Sequence, residues 1–186
     1  EDDDNLLSHV ADSMKIGGRQ SRDRFIFVIN KMDEYWRDED SVESAIQKVK
    51  DYLSDKGIEN PNVYPLSAIT ALYIRDSLMS IKSMESDDDD DSEIEEAKML
   101  VRRCIKKEKL HFENYTPLTT RAKDTIKSQL QTYVENNSLK EQALIHSGII
   151  TLEEIIKSYV LKYSKTAKIK NIVDTFEKKL ESERIL

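Results

Sequence analysis

Hydrophobic and polar positions follow two different periods along this chain. Two short runs are apolar at nearly every position, Phe25-Ile26-Phe27-Val28-Ile29 and Asn62-Val63-Tyr64-Pro65-Leu66. Runs of that length, rich in β-branched and aromatic residues, read as strands, and a strand apolar on both faces belongs in a buried parallel sheet. Between them Val42, Ala45, Ile46, Val49 and Leu53 recur at helical spacing, with Asp40 and Glu43 placed as a capping box and Gly57 as the stop. Strand, helix, strand is a βαβ crossover, so the two strands are expected parallel, as neighbours or near neighbours.

Beyond Leu66 the pattern is helical. A helix from about Ala68 to Ser83 leads into 85–93, which contains five consecutive aspartates, Asp87 to Asp91. Mutual repulsion predicts a solvated, disordered linker there. A calcium site is not expected from it, because bare Asp repeats lack the shaped cage and Gly turn that the cation needs. Helix resumes with Ser92 and Glu95 as a capping box and Ile94, Ala97, Val101, Cys104 and Ile105 as its buried stripe. Ala122, Ile126, Leu130, Tyr133 and Val134 mark another helix. A last long one is expected to begin at Thr151, with Glu154 as capping partner. Its stripe runs through Leu152, Ile155, Ile156, Tyr159, Val160 and Tyr163, then Ile169, Ile172, Val173, Phe176 and Leu180. No internal repeat is visible.

Composition sharpens this outline. The 186 residues suit one domain, or one with a helical appendage, and four Gly and three Pro against 35% charged residues fit long helices and few hairpins. A net charge of −7 argues against a nucleic-acid coat, which needs clustered Lys and Arg. The lone Cys104 cannot form an intrachain disulfide and reads as a small buried hydrophobe in a reducing, cytoplasmic setting. No apolar run approaches the roughly 20 residues of a membrane span. The acidic start Glu1-Asp2-Asp3-Asp4 is unlike a signal peptide, and the absence of an initiator Met suggests processing or excision from a longer chain. His9, His111 and His146 share no metal-ligand spacing and read as surface or packing residues. Lys157, Lys162, Lys165, Lys168 and Lys170 read as a solvated helix face, balanced by Asp174 and Glu177, in preference to a lipid contact.

The chemistry concentrates in Asn30-Lys31-Met32-Asp33, directly after the first strand, and Ser67-Ala68, directly after the second. In open α/β sheets ligands bind beyond the carboxyl ends of the strands, so both clusters are expected on one edge. Guanine presents two adjacent donors, N1–H and its exocyclic amine, and the Asp33 carboxylate offers two acceptors to match. A site built on that pairing rejects adenine by a factor of about 10⁴. Lys31 would lay its aliphatic stem over the base. Asn30 would tie the two loops and reach the purine's other edge, Ala68 would let a backbone N–H approach the guanine carbonyl, and Ser67 would buttress the loop. The plain alternative is a polar turn closing a strand, with Asp33 in an Asx-turn and Lys31 solvated.

On the segments 23–33 and 62–68 the sequence resembles the GTPase domain of bacterial dynamin-like proteins. A third segment, His146-Ser147-Gly148-Ile149-Ile150-Thr151-Leu152-Glu153-Glu154-Ile155-Ile156, is similar to the start of that domain's final helix. The resemblance implies a helix-rich α/β fold with part of a P-loop GTPase-type parallel sheet, a helical insertion and the start of a helical stalk. It also implies a mechanoenzyme that hydrolyses GTP and remodels membranes, with Asn30, Lys31, Asp33, Ser67 and Ala68 contacting the base of GTP or GDP.

The chain departs from that family in lacking a Gly-x-x-x-x-Gly-Lys-Ser/Thr phosphate loop, together with the switch Thr and the Asp-x-x-Gly that position magnesium and water. Those parts would lie upstream of Glu1. The implied division is 1–84 as the C-terminal half of the GTPase domain, 85–146 as acidic linker and insertion, 147–165 as its final helix and 166–186 as the first turns of the stalk. Without phosphate loop and switches the chain alone is expected to be inactive, with Mg²⁺ bound only alongside the missing half. Its expected partners are guanine nucleotide and either that missing half or another protomer, with membrane contact only through absent regions. The rival reading is a non-enzymatic helical interaction module, suggested by apolar stripes too numerous for this chain to cover.

Overall fold

The computed structural model describes residues 2–16, 23–36, 41–80, 91–164 and 175. Among these the architecture is helix-rich α/β, with seven α-helices and one two-stranded parallel sheet. Strand β1 (Phe27–Ile29) pairs with β2 (Val63–Pro65), Phe27 opposite Val63, Val28 opposite Tyr64 and Ile29 opposite Pro65. Both strands are shorter than the apolar runs that predicted them. Contact nevertheless continues past their ends, where Leu66 N–H donates to the Ile29 carbonyl at 2.9 Å and Met32 N–H to the Leu66 carbonyl at 3.2 Å.

Helix α1 (Asp2–Ile16) precedes β1, and α2 (Val42–Asp55) crosses between the strands as expected. The cap of α2 differs from the expected Asp40 and Glu43 box. Ser41 is the N-cap, its Oγ accepting from Ser44 N–H at 3.1 Å, while Asp40 lies outside the described residues. Gly57 stops the helix at φ +83°, the left-handed conformation in which an L side chain is strained. The first core gathers Val42, Ala45, Ile46 and Leu53 of α2 with Met32, Ile58, Val63, Leu110 and Phe112, and with Ala11 and Met14 of α1. Each of the larger side chains contributes about 1.5–3 kcal/mol by leaving water.

A second core is helical. It joins Ala71 and Ile74 of α3 (Ala68–Ser80), Val101 and Cys104 of α4 (Asp91–Lys106), and Ala143 and Leu144 of α6 (Leu139–His146). Residues 91–93, assigned from sequence to the linker, lie within helix α4, which is described from Asp91, so Ser92 is not its cap. Residues 81–90, with most of the aspartate tract, lie outside the described residues. Two short 3₁₀ turns, Glu108–Leu110 and Phe112–Tyr115, lead to α5 (Thr120–Glu135), which Thr119 caps by accepting from Ala122 N–H at 3.3 Å.

Helix α7 is described over 149–164 and begins before Thr151. Thr151 is buried and its hydroxyl has no partner, so it is not a cap. Val134, Ile156 and Val160 are 56%, 47% and 53% exposed, because no described element covers that side of α5 or α7. Val28 is likewise 44% exposed, since only β2, and not β1, is buried at every position. The stripe from Ile169 to Leu180 lies outside the described residues. No described helix is long and apolar enough to cross a membrane.

Candidate functional site

Parallel pairing brings Asn30-Lys31-Met32-Asp33 and Ser67-Ala68 to the same edge of the sheet. Two hydrogen bonds join them across the sequence. Asn30 Oδ1 accepts from Ala68 N–H at 3.0 Å and from Lys31 N–H at 2.8 Å, so one side-chain oxygen holds the backbones of both loops. Asp33 Oδ1 accepts from Ser67 Oγ at 2.5 Å, and the Ser67 and Thr70 hydroxyls lie 2.8 Å apart. Ser67 and Thr70 are fully buried beneath the loop, whereas Asp33 and Ala68 are half-buried and Asn30 and Lys31 exposed.

Lys31 has a positive φ of 63°, unusual for a residue with a Cβ. This kink turns the chain sharply after β1 and lets Met32, fully buried, plug the core while Asp33 stays at the surface rim. Asp33 sits in a 3₁₀ turn, Met32–Trp36, and its carboxylate retains lone pairs beyond the one that Ser67 occupies. The Ala68 N–H, expected from sequence to face a guanine carbonyl, is engaged by Asn30 instead.

Ser67 is held from a third direction. Its N–H donates to the Ser147 carbonyl at 2.9 Å, where α6 gives way to α7. Gly148 makes this approach possible. A Cβ there would stand 2.6 Å from the Pro65 carbonyl oxygen, and its φ of +81° disfavours any other residue. The segment 146–156 therefore docks on the loop after β2.

A second cluster was not legible in the sequence. The rings of His111 and His146 stack at 3.6 Å with 6° between their planes. His146 Nδ1 lies 2.8 Å from Glu113 Oε1, with both side chains more than nine-tenths buried, and Glu113 Oε2 is buried without a partner. His111 Nε2 lies 2.9 Å from the Cys104 carbonyl. A carbonyl only accepts, so that nitrogen carries the proton and Nδ1 keeps a lone pair. Burial, then the neighbouring His146, lowers the His111 pKa and favours the neutral ring. His9 is exposed while His111 and His146 pack on each other, within the expectation of surface or packing histidines.

A cavity of about 280 Å³ opens at the opposite ends of the strands, where Asp23 precedes β1 and Asn62 precedes β2. Asp23 there accepts from Lys162 Nζ and from the Tyr163 hydroxyl, both at 2.5 Å. It is remote from Asp33 along both strands. Lys157 of the predicted basic face pairs with Glu154 at 3.6 Å. No protein-family model, curated protein or solved structure matches this chain.

Proposed function

We propose that the edge formed by Asn30, Lys31, Asp33, Ser67 and Ala68 reads guanine, and that the chain is the base-recognition part of a dynamin-like GTPase. The observation that carries this reading is the pair of bonds tying the two loops together, Asp33 to Ser67 and Asn30 to Ala68. A polar turn closing a strand needs neither. Here a carboxylate is fixed at one angle on the rim of a parallel sheet, which is what bidentate pairing with the two donors of guanine requires.

In this reading the sheet is part of a P-loop GTPase-type sheet, and Ser67 is a positioning residue while Asp33 meets the base. Lys31 covers the base face. Asn30 releases or shares the Ala68 N–H so that it can meet the guanine carbonyl. GTP hydrolysis, Mg²⁺ binding and membrane remodelling belong to the intact parent, because the phosphate loop and switches that perform phosphoryl transfer are not in this sequence.

The test is a titration of the isotopically labelled chain with millimolar GDP or ADP, read by amide chemical shifts. GDP is expected to move Lys31, Asp33 and Ala68, with ADP leaving them in place. Equal responses, or none from either nucleotide, would sink the proposal.

A second reading, a helical interaction module, draws on Ile156 and Val160, exposed one turn apart on α7, with Leu161 63% exposed beside them. Light scattering discriminates: that reading requires association that Val160→Lys abolishes, whereas guanine recognition does not.

A further inference from the structure

A carboxylate buried with one hydrogen bond is an expensive arrangement. Glu113 has lone pairs on two oxygens, yet only Oε1 meets a partner, the Nδ1 of His146, while Oε2 is enclosed by protein. Such an orphan buried acceptor calls for a positive charge close by. Two imidazoles stand next to it, and one donor atom from each of His111, Glu113 and His146 falls within 4.8 Å of the others.

We propose that His111, Glu113 and His146 bind a divalent transition-metal ion of the zinc type. Two neutral imidazoles and one carboxylate form the donor set that such borderline ions prefer, and three protein ligands leave one position open. Supporting contacts are already in place. The Cys104 carbonyl takes the Nε2–H of His111 at 2.9 Å, fixing its tautomer with the Nδ1 lone pair free, as backbone carbonyls do behind metal-bound histidines. The ion takes the place of the hydrogen bond between His146 Nδ1 and Glu113 Oε1, and the single proton of the neutral ring passes to Nε2.

One rearrangement is needed. Rings stacked at 6° hold their lone pairs in parallel planes, so the His111 ring must turn out of the stack to meet the ion. It can do so because it is the less buried ring of the two. The site would fasten the 3₁₀ turns to the end of α6, one residue before Ser147, whose carbonyl holds Ser67. This proposal stands apart from guanine recognition and does not need it.

The experiment uses the chelator-stripped full chain, titrated with Zn²⁺ by calorimetry and with Co²⁺ by visible absorption. One Zn²⁺ per chain is expected, with a Co²⁺ spectrum of the intense four- or five-coordinate type. His111→Gln and Glu113→Gln are expected to weaken binding about tenfold or more. Zn²⁺ should also raise the melting temperature of the parent and not of folded His111→Gln. Carboxylates of the acidic tracts hold Co²⁺ six-coordinate and pale, so the unmodified chain decides even if both variants fail to fold. A Co²⁺ spectrum that stays pale, or Zn²⁺ affinity unchanged in folded His111→Gln, overturns the proposal.

Discussion

The Ser67 hydroxyl donates to Asp33 Oδ1 across 34 residues of chain. Ser67 Oγ is also held locally, accepting from Thr70 N–H at 3.2 Å, whereas its bond to Asp33 needs both loops. Parallel pairing of β1 with β2 brings them together, and burial of Ser67 holds the hydroxyl at a defined angle. Removing that hydroxyl should therefore loosen the carboxylate without displacing the strands. Ser67→Ala is expected to cost about 1–2 kcal/mol of stability in urea unfolding. The guanine-dependent shift of Asp33 should weaken, with the β1 and β2 amides unmoved.

Asp33→Asn replaces one acceptor by a donor. If Asp33 pairs with the two guanine donors, the preference of the site should move from guanine toward xanthine, whose second carbonyl accepts. Competition between GDP and xanthosine diphosphate in the shift titration reads this directly. An unchanged order of preference removes Asp33 from the base site.

The two left-handed glycines differ in their surroundings, so their alanine variants should differ in cost. Gly148→Ala drives a Cβ to 2.6 Å from the Pro65 carbonyl oxygen, whereas Gly57→Ala meets only ordinary contacts at 3.8 Å. The conformational penalty alone is about 1–2 kcal/mol at each position. Overpacking adds about 1–3 kcal/mol at Gly148. Chemical denaturation should thus rank Gly148→Ala clearly below Gly57→Ala, and Gly148→Ala should also disturb the Ser67 amide.

Burial pushes the Cys104 thiol up to about 12. At pH 8 the native chain should therefore hold almost no thiolate and react slowly with iodoacetamide or a disulfide reagent. Full reactivity should return in urea. Fast labelling of the native chain would mean that the second core opens readily around α4.

Much of the fold was legible because it is written in short-range periodicity. Val42, Ala45, Ile46 and Leu53 share one face of α2 whatever surrounds the helix, and all four are buried. The run from Phe25 to Ile29 yields a strand, and placing Asn30 to Asp33 and Ser67-Ala68 after two parallel strands put both clusters on one edge. Helix ends were harder to read. Ser41 outcompetes the Asp40 and Glu43 box, and α7 starts two residues before Thr151, since several polar residues near a helix start can serve and packing chooses among them.

The sequence by itself determined β1, β2 and the helices α2, α3, α4, α5 and α7, though not α1 or α6, and it singled out the two loops proposed to meet a base, because side-chain spacing acts over one or two turns. Only the tertiary structure decided that Asn30 would occupy the Ala68 N–H and that Ser147 would grip Ser67. It also decided that Val28 would remain exposed in an apolar strand. His111 and His146 give the sharpest contrast. Their spacing carries no signal, and their stacking exists only because α6 returns against the 3₁₀ turns that follow α4. Contacts of that kind depend on the path of the whole chain, which local periodicity does not record.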